Sequence, residues 1–380
     1  MEPTQEELRA LKYPYLIGLE SLAGKPNAQG QNVVRWDGHS HTCFTRPTIV
    51  DSSKRNRSRT WIETGFDFGK GVVKSVFRIR GKPVTKSDAY KFYFVPFPTP
   101  KEIYENAIDA GVDHISITDL NTMEGCKELL SNREFRRKHP DLEERFIPGA
   151  ELETRMPKKT YDFHTLVYEP NERQFERVMQ LRENAVDLKH YCDDQGLILA
   201  LAHPFTPWFA KNQVTNQEDF EELVELFDIL EARNGITIEE HNKALEDYCP
   251  VAGKGMTGGT DSSIGKVGTT GVEVAYTGRK PTKQEFSTAI VDGKGRPFGE
   301  HGGIPVVQES YKQHALFSPA GYEDEDHYRG GKILRPEISP IFQFMDDMAR
   351  KGISKYGTKA IAKWGYKRIK EQQGHLKLPK

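Results

Sequence analysis

The sequence predicts a mixed α/β fold: a distorted, TIM-like (β/α)7 barrel with a basic insertion after its first strand and a helical C-terminal extension. Short apolar segments alternate with segments of helical periodicity, which is typical of parallel strands joined by helical crossovers. The segment 197–202 is an unbroken apolar run, as expected for a strand that is buried on both faces. Polar residues that suit metal ions follow the predicted strands, where parallel-barrel enzymes carry their active sites.

The predicted elements follow one another regularly from the first strand onward. Seven strands are expected at 32–37, 114–118, 146–152, 163–168, 197–202, 227–233 and 255–260. Helices are expected at 100–110, 123–137, 172–195, 217–226, 238–248 and 282–291. The first helix has a proline at its start, where the missing N–H costs nothing. A further strand is expected at 272–276, before the last of these helices.

Three segments lie outside this alternation. Residues 1–30 are expected to form a helix and linker, and the barrel spans 31–300. Residues 44–98 interrupt the barrel as an insertion, with a possible strand pair at 71–80 and 90–95. Residues 301–380 form the C-terminal extension, whose expected helix at 338–370 could join two copies into a homo-oligomer.

The composition argues against a membrane-spanning, secreted or disulfide-rich protein. The sequence contains no apolar run of about 18 residues, so no membrane span is expected. The polar, acidic N-terminus lacks the pattern of a secretory signal. Four cysteines are scattered without CxxC spacing, which argues against a disulfide framework and a thiolate zinc site. Reduced thiols in a cytoplasmic protein are the expectation.

The insertion is strongly basic although the whole chain has a net charge of −1. Between Phe44 and Val95 there are twelve Lys or Arg residues and four acidic residues, with aromatic residues interleaved. Such a segment suits an oligonucleotide, because basic side chains track phosphates and aromatic rings stack on nucleobases. A folded β-rich cap with solvated charges is the other interpretation, and the sequence leaves both open.

Six candidate metal ligands lie in or just after the predicted strands. They are His39, His41, Glu151, His164, His203 and Asp261. The two residues of the HxH motif are two positions apart and can point the same way. The other four come from separate strands that would meet at one end of a barrel. Imidazoles and carboxylates together suit Zn²⁺, Mn²⁺ or Fe²⁺ better than Ca²⁺.

The motifs around these residues resemble those of the PHP family of metal-dependent phosphoesterases. They are DGHSHT (37–42), TPKEIYENAIDAGVDHISITD (99–119), IPGAELET (147–154), FHTLVY (163–168), LAHP (201–204), EARNG (231–235) and GGTD (258–261). They occur in the family's order and cover roughly 33–300 apart from the insertion. The resemblance implies a distorted seven-strand barrel with its metal site at the carboxyl ends of the strands.

The resemblance also implies how the ligands divide. One ion would be bound by His39, His41, Glu151 and Asp261, and a second by Glu151, His164 and His203, with Glu151 bridging. The positions that hold a third ion in many family members read Arg46, Leu120 and Ser263 here. We therefore expect two divalent ions (Mn, Zn or Fe), with positive charge from Arg46 or another insertion residue in place of the third.

The expected activity is hydrolysis of a phosphate ester by a hydroxide activated between two metal ions. Arg46 and Arg233 are candidates for clamping the phosphate, and Asp119 for orienting a ligand or a water. The expected substrate is a phosphorylated small molecule or a nucleic acid, and the basic insertion favours a nucleotide or oligonucleotide.

Two alternatives remain open from the sequence. A non-hydrolytic domain, in which metal supports structure or partner binding, is compatible with the missing third-site ligands. An amidohydrolase would also begin with HxH, but that class usually needs a bridging lysine where this chain has Glu151.

Overall fold

The computed structural model describes residues 21–42, 44–45, 98–159, 161–205, 214, 216–262, 266–302 and 376–379. The predicted N-terminal helix lies outside the described residues. So do Arg46, Ser263, the strand pair expected in the insertion, and the helix expected at 338–370.

The described residues form a mixed α/β structure, as predicted. Its strands are β1 (Val33–Asp37), β2 (His114–Ile115), β3 (Gly149–Arg155), β4 (Asp162–Tyr168), β5 (Ile198–Leu201), β6 (Ile229–Asn234), β7 (Gly255–Gly259), β8 (Thr270–Ala275) and β9 (Arg296–Gly299). Its helices are α1 (Pro100–Ala110), α2 (Glu124–Ser131), α3 (Arg133–Lys138), α4 (Leu142–Arg145), α5 (Glu172–Leu181), α6 (Ala185–Gln195), α7 (Gln217–Leu226), α8 (Glu239–Val251) and α9 (Lys283–Val291).

The strands belong to two sheets that isolated bridges join at two places. One sheet has the order β2-β1-β8-β9 and the other the order β3-β4-β5-β6-β7. Isolated parallel bridges join Ile115 to Phe146 and Leu120 to Glu151 on one side. On the other side, Ser40 after β1 bridges to Ser262 after β7. The described strands do not form one continuous ladder, so the closed seven-strand barrel stays a prediction.

The direction of β4 differs from the prediction. β4 pairs antiparallel with both β3 and β5, whereas β5, β6 and β7 are mutually parallel, as are β1 and β2. The physical reason lies in the connection from β3 to β4, residues 156–161, which is too short for the crossover that parallel neighbours require. The expectation of parallel strands throughout was therefore wrong at β4.

Two predicted helices are each divided in two by an asparagine. The side chain of Asn132 accepts a hydrogen bond from Phe135 N, so α3 begins anew after α2. The side chain of Asn184 accepts from Val186 N and Asp187 N and starts α6 in the same way. An asparagine side chain satisfies N–H groups that a new helix leaves unpaired, which favours a fresh start over a continuous helix.

The apolar core supports the loop that follows β1. Trp36 packs edge-on against Tyr168, with ring centroids 4.7 Å apart, and against Phe286 at 5.9 Å. Its indole nitrogen donates to Ser116 Oγ at 2.9 Å. The hydroxyl of Tyr168 donates to the carbonyl of Gly38 at 3.0 Å. The residues just before the first predicted ligand are therefore fixed by buried aromatic side chains.

The described helices were compared with the length and apolar character of a membrane span. Among them, none combines the length and the apolar character needed to cross a bilayer.

Candidate metal centre

The structure brings all six predicted ligands together in one buried cluster. His39 and His41 lie after β1, Glu151 in β3, His164 in β4, His203 after β5 and Asp261 after β7. Each is at most 7% exposed. We refer to these six residues as the metal-ligand cluster.

Glu151 lies at the middle of the metal-ligand cluster. Its Oε1 is 2.6 Å from His164 Nδ1, 3.1 Å from His203 Nε2 and 3.6 Å from His39 Nε2. Its Oε2 is 3.6 Å from His41 Nε2. One carboxylate thus faces all four imidazoles, which is the position that a bridging ligand requires.

Asp261 faces three of the same imidazoles. Its Oδ1 is 3.1 Å from His41 Nε2 and 3.5 Å from His39 Nε2, and its Oδ2 is 3.9 Å from His203 Nε2. Two triads have ligand atoms within 4.8 Å of one another, and they share His39. These triads are His39, His41 and Asp261, and His39, Glu151 and His203.

The donor set fits divalent cations. His39 Nε2 is buried and makes no hydrogen bond within the described part of the chain, although it faces Glu151 and Asp261. A buried polar atom without a partner is costly, and a shared cation would satisfy it together with both carboxylates. Imidazole nitrogen and carboxylate oxygen are also the donors that Zn²⁺, Mn²⁺ and Fe²⁺ accept.

Charge pairing within the cluster shifts its pKa values. Burial alone lowers the pKa of His39, but the negative charges of Asp261, Glu231 and Glu151 outweigh it and raise this pKa to about 10. Burial raises the pKa of Asp261, yet the neighbouring histidines hold it at about 2. Without metal, the carboxylates are therefore charged and protons occupy places where cations would bind.

The backbone at two ligands adopts an unusual conformation. His203 has φ of 25° and Asp261 has φ of 48°, in the left-handed region that favours glycine. The amide of Asp261 donates to His39 O at 2.7 Å, which holds the GGTD segment against the loop after β1. A side chain at Gly259 would overlap the backbone nitrogen and Cβ of His39. Strain of this kind is typical of functional sites, where the surrounding structure must enforce it.

Asp37 connects the loop after β1 to the GGTD segment by hydrogen bonds. Its carboxylate accepts hydrogen bonds from Thr260 N, Thr260 Oγ1, Gly268 N and His39 N, at 2.7 to 3.3 Å. Burial nevertheless raises its pKa to about 6. Asp37 therefore positions the ends of β1 and β7 relative to each other.

Asp119 contacts the loop that carries His41 and not the ligand itself. It accepts hydrogen bonds from Thr42 N and Thr42 Oγ1, both at 2.6 Å, and from Thr45 Oγ1 at 2.8 Å. Thr45 Oγ1 is in turn 3.1 Å from His41 Nδ1. Burial raises the pKa of Asp119 above its ordinary value. Asp119 is thus linked to His41 through Thr45, and its role in orienting a ligand or a water stays a prediction.

Arg233, the second predicted clamp, does not join the metal-ligand cluster. Its Nε donates to Glu246 Oε1 at 2.6 Å and its terminal nitrogen to Gly299 O at 2.8 Å. These contacts of its guanidinium are with α8 and β9, away from the cluster. A role in holding phosphate thus finds no support in its contacts.

Glu231 is a site residue that the sequence analysis did not select. It is fully buried, and its Oε1 is 2.9 Å from His39 Nδ1. Its Oε2 accepts from His203 N at 2.8 Å and from Asn234 Nδ2 at 3.1 Å. The signal was present, because Glu231 opens the EARNG motif at the end of a predicted strand.

A large open cavity lies elsewhere. It has a volume of about 960 Å³ and is lined by residues between the 22–31 segment and strands β8 and β9, including Arg35, Glu273 and Arg296. It contains no member of the metal-ligand cluster, so we do not associate it with the chemistry.

Comparison with known proteins finds similarity in structure. No protein-family model and no curated protein sequence matches the chain. Among solved structures, a two-domain protein of Bacteroides vulgatus containing a predicted PHP-like metal-dependent phosphoesterase matches at a TM-score of 0.43 and 14% identity, covering 77% of this chain and 73% of that one.

Two further structures have related descriptions. A protein of Bifidobacterium adolescentis described as a metal-dependent phosphoesterase matches at a TM-score of 0.36 and 13% identity, covering 70% of this chain and 96% of that one. The lesion-specific endonuclease PfuEndoQ of Pyrococcus furiosus matches at a TM-score of 0.36 and 15% identity, covering 70% of this chain and 57% of that one. The structural neighbours thus include PHP-like phosphoesterases and an endonuclease. At these identities and TM-scores the likeness carries no functional argument, and the function rests on the metal-ligand cluster.

Proposed function

We propose that this protein is a metal-dependent hydrolase that cleaves phosphate esters with two divalent cations (Mn, Zn or Fe). The observation that carries the proposal is the convergence of four imidazoles and two carboxylates, from five strands, on one buried centre. His39, His41, Glu151 and Asp261 would hold one ion. Glu151, His164 and His203 would hold the other, and Glu151, whose carboxylate faces all four imidazoles, would be shared between them.

The charge of such a centre favours an anionic substrate. The two ligand carboxylates, Glu151 and Asp261, carry two negative charges against the four positive charges of two divalent ions, while the carboxylates of Glu231, Asp37 and Asp119 lie around the ligands. Ions that keep positive charge at their open positions attract a phosphate ester more strongly than a neutral amide. Bound ions of this kind lower the pKa of a coordinated water and stabilise charge on phosphoryl oxygens.

Arg182 is a candidate source of positive charge that is linked to the backbone of Glu151 through Asn121, which also binds the carboxylate of Glu153. Its terminal nitrogen donates to Asn121 Oδ1 at 2.8 Å, and Asn121 N donates to Glu151 O at 2.7 Å. Among the residues that the structure describes, no carboxylate pairs with Arg182, in contrast to Arg233. We propose that Arg182 contributes to holding the substrate phosphate, because a guanidinium without a carboxylate partner binds phosphate well.

The substrate we favour is a nucleotide or oligonucleotide. The support is the basic, aromatic composition of the insertion, which follows directly after the loop bearing His39 and His41. A non-hydrolytic metal-binding domain is the second candidate, favoured by the departures at the third-ion positions, of which Leu120 is one. An amidohydrolase is disfavoured because the described cluster contains Glu151 where that class has a lysine.

The test is an activity screen of the full chain after metal removal and reloading with Mn²⁺ or Zn²⁺. Substrates are p-nitrophenyl phosphate, bis(p-nitrophenyl) phosphate, nucleotides and short DNA and RNA. Wild type should turn over at least one phosphate ester, and H203A should lose at least about 100-fold in rate because a ligand is gone. H190A removes an exposed histidine on α6 and should retain activity. Metal binding without turnover of any substrate would instead favour the non-hydrolytic alternative.

A further inference from the structure

We propose that Asn234 is a positioning residue, which together with Glu231 sets the orientation of Asp261 and His39 toward the cations. The inference rests on the metal centre of the proposed function. It concerns two side chains that would not touch the ions themselves. It explains why two buried polar residues of β6 are directed at the cluster.

Asn234 connects Glu231 to the ligand Asp261. Its Nδ2 donates to Glu231 Oε2 at 3.1 Å and to Asp261 Oδ2 at 3.0 Å, and its side chain is fully buried. Its Oδ1 accepts from Ile236 N at 2.9 Å. This last contact fixes which end of the amide points to the carboxylates, since a flipped amide would place oxygen against oxygen. With Oδ2 occupied, Asp261 Oδ1 is directed at the imidazoles.

Glu231 orients the histidines by two different contacts. Its Oε1 lies 2.9 Å from His39 Nδ1, so a proton on Nδ1 is held there and Nε2 is the ring nitrogen left for a cation. Its Oε2 accepts from the backbone amide of His203. That residue has a positive φ, and the hydrogen bond stabilises the unusual conformation. One carboxylate therefore acts on two ligands directly and on Asp261 through Asn234.

Helix α8 holds the backbone of Asn234 in place. Asn242 Oδ1 accepts from Asn234 N at 3.1 Å, and Asn242 Nδ2 donates to Asn234 O at 3.0 Å. The pairing of β6 with β7 shifts register between Glu231 and Arg233, which leaves Ala232 as an extra residue. A β-bulge of this type redirects side chains. It puts Glu231 and Asn234 against the cluster and Arg233 against α8.

The experiment measures Mn²⁺ and Zn²⁺ affinity of the full chain by competition with a chelator, independently of hydrolysis. N234A frees Asp261 to rotate, and we expect metal binding to weaken by about 10- to 100-fold. E231Q keeps the size of the side chain. Its NH2 group would face at least one of the donors that the Glu231 carboxylate now accepts from, and we expect a similar loss of metal affinity. N216A is the control, because it removes a helix N-cap at α7 away from these contacts.

A structural role alone predicts a different pattern. N234A and N216A would then both lower the free energy of unfolding while metal affinity stayed at the wild-type value, and this result would overturn the inference. E231Q makes the same distinction if N234A does not fold. The ¹⁵N spectrum of the His39 ring adds a second readout, since E231Q should reduce the Nδ1-protonated form. If wild type bound no metal, both this inference and the proposed metal centre would be wrong. If wild type bound metal but hydrolysed no substrate, only the proposed hydrolytic activity would be contradicted.

Discussion

Binding of the metal should release protons, and this follows from the environment of His39. Three carboxylates surround its buried ring and raise its pKa to about 10, against the opposing effect of burial. In the metal-free protein at pH 7 the ring therefore carries two protons. One faces Glu231 on Nδ1, and the other occupies Nε2, the atom that a cation needs. The second proton must leave when the ion binds.

The size of the effect follows from the pKa. Between pH 7 and about pH 10, each unit of pH should strengthen the apparent affinity at least about tenfold, because the competing proton becomes scarcer. At pH 7 the competing proton makes the free energy of metal binding less favourable by about 4 kcal/mol, since each pKa unit corresponds to about 1.4 kcal/mol. The pKa of His203 is raised as well, so each binding event should release at least one proton.

Calorimetric titration with Zn²⁺ or Mn²⁺ in buffers of different ionisation enthalpy measures the protons released. At pH 7 the apparent enthalpy should depend on buffer enthalpy with a slope of at least one proton. H190A should give the wild-type slope. A slope of zero at pH 7, together with an affinity that does not change between pH 7 and pH 8, would refute this reasoning.

Three further predictions concern separate parts of the molecule. Burial lowers the pKa of His114 from 6.5 to about 4. As pH falls, the unfolded chain therefore binds a proton on this histidine first, and the stability of the fold decreases below pH 6.5. Between pH 7 and pH 5, the free energy of unfolding in urea should decrease by about 2 kcal/mol more for wild type than for H114L. G259A should weaken Zn²⁺ affinity at least tenfold in chelator competition, because its Cβ displaces His39, and an unchanged affinity would contradict the close packing. In steady-state kinetics R182A should raise KM for the phosphate ester at least fivefold while R233A leaves it within twofold, and equal effects of the two would argue against a role for Arg182 in binding.

The ligands could be predicted because their positions follow from strand ends. Parallel strands carry their carboxyl ends at one edge, so His39, His203 and Asp261 were expected to converge. Glu151 and His164 lie within strands and converge equally well, although β4 runs antiparallel. His164 is the third residue of β4, and because β4 is antiparallel, this start of the strand lies beside the carboxyl end of β5, where Thr165 pairs with Leu201. The error in strand direction therefore left the predicted cluster intact.

The choice between Glu231 and Arg233 could not be made from the pattern. Residues two apart on a regular strand share a face, so regular alternation would put Glu231 on the same side as Arg233, the residue that was selected. The extra residue at Ala232 breaks this alternation, and nothing in the sequence of EARNG marks a bulge. The energetic reason is clear from the structure, because Glu246 neutralises Arg233 on the outer side.

The division of two helices could have been predicted from the sequence. Asn132 and Asn184 are residues with a strong preference for helix N-caps, and each precedes an acidic residue in the next first turn. Apolar periodicity continued across both positions and suggested single helices. Local capping prevailed over periodicity in both cases.

The most direct test of the metal centre is anomalous diffraction from crystals loaded with Mn²⁺ or Zn²⁺. We predict two peaks, each about 2.0 to 2.3 Å from its ligand atoms. One should be bound by His39, His41, Glu151 and Asp261, and the other by Glu151, His164 and His203. Three fully occupied ions would contradict the two-ion centre. Peaks outside coordinating distance of these side chains would contradict the whole account.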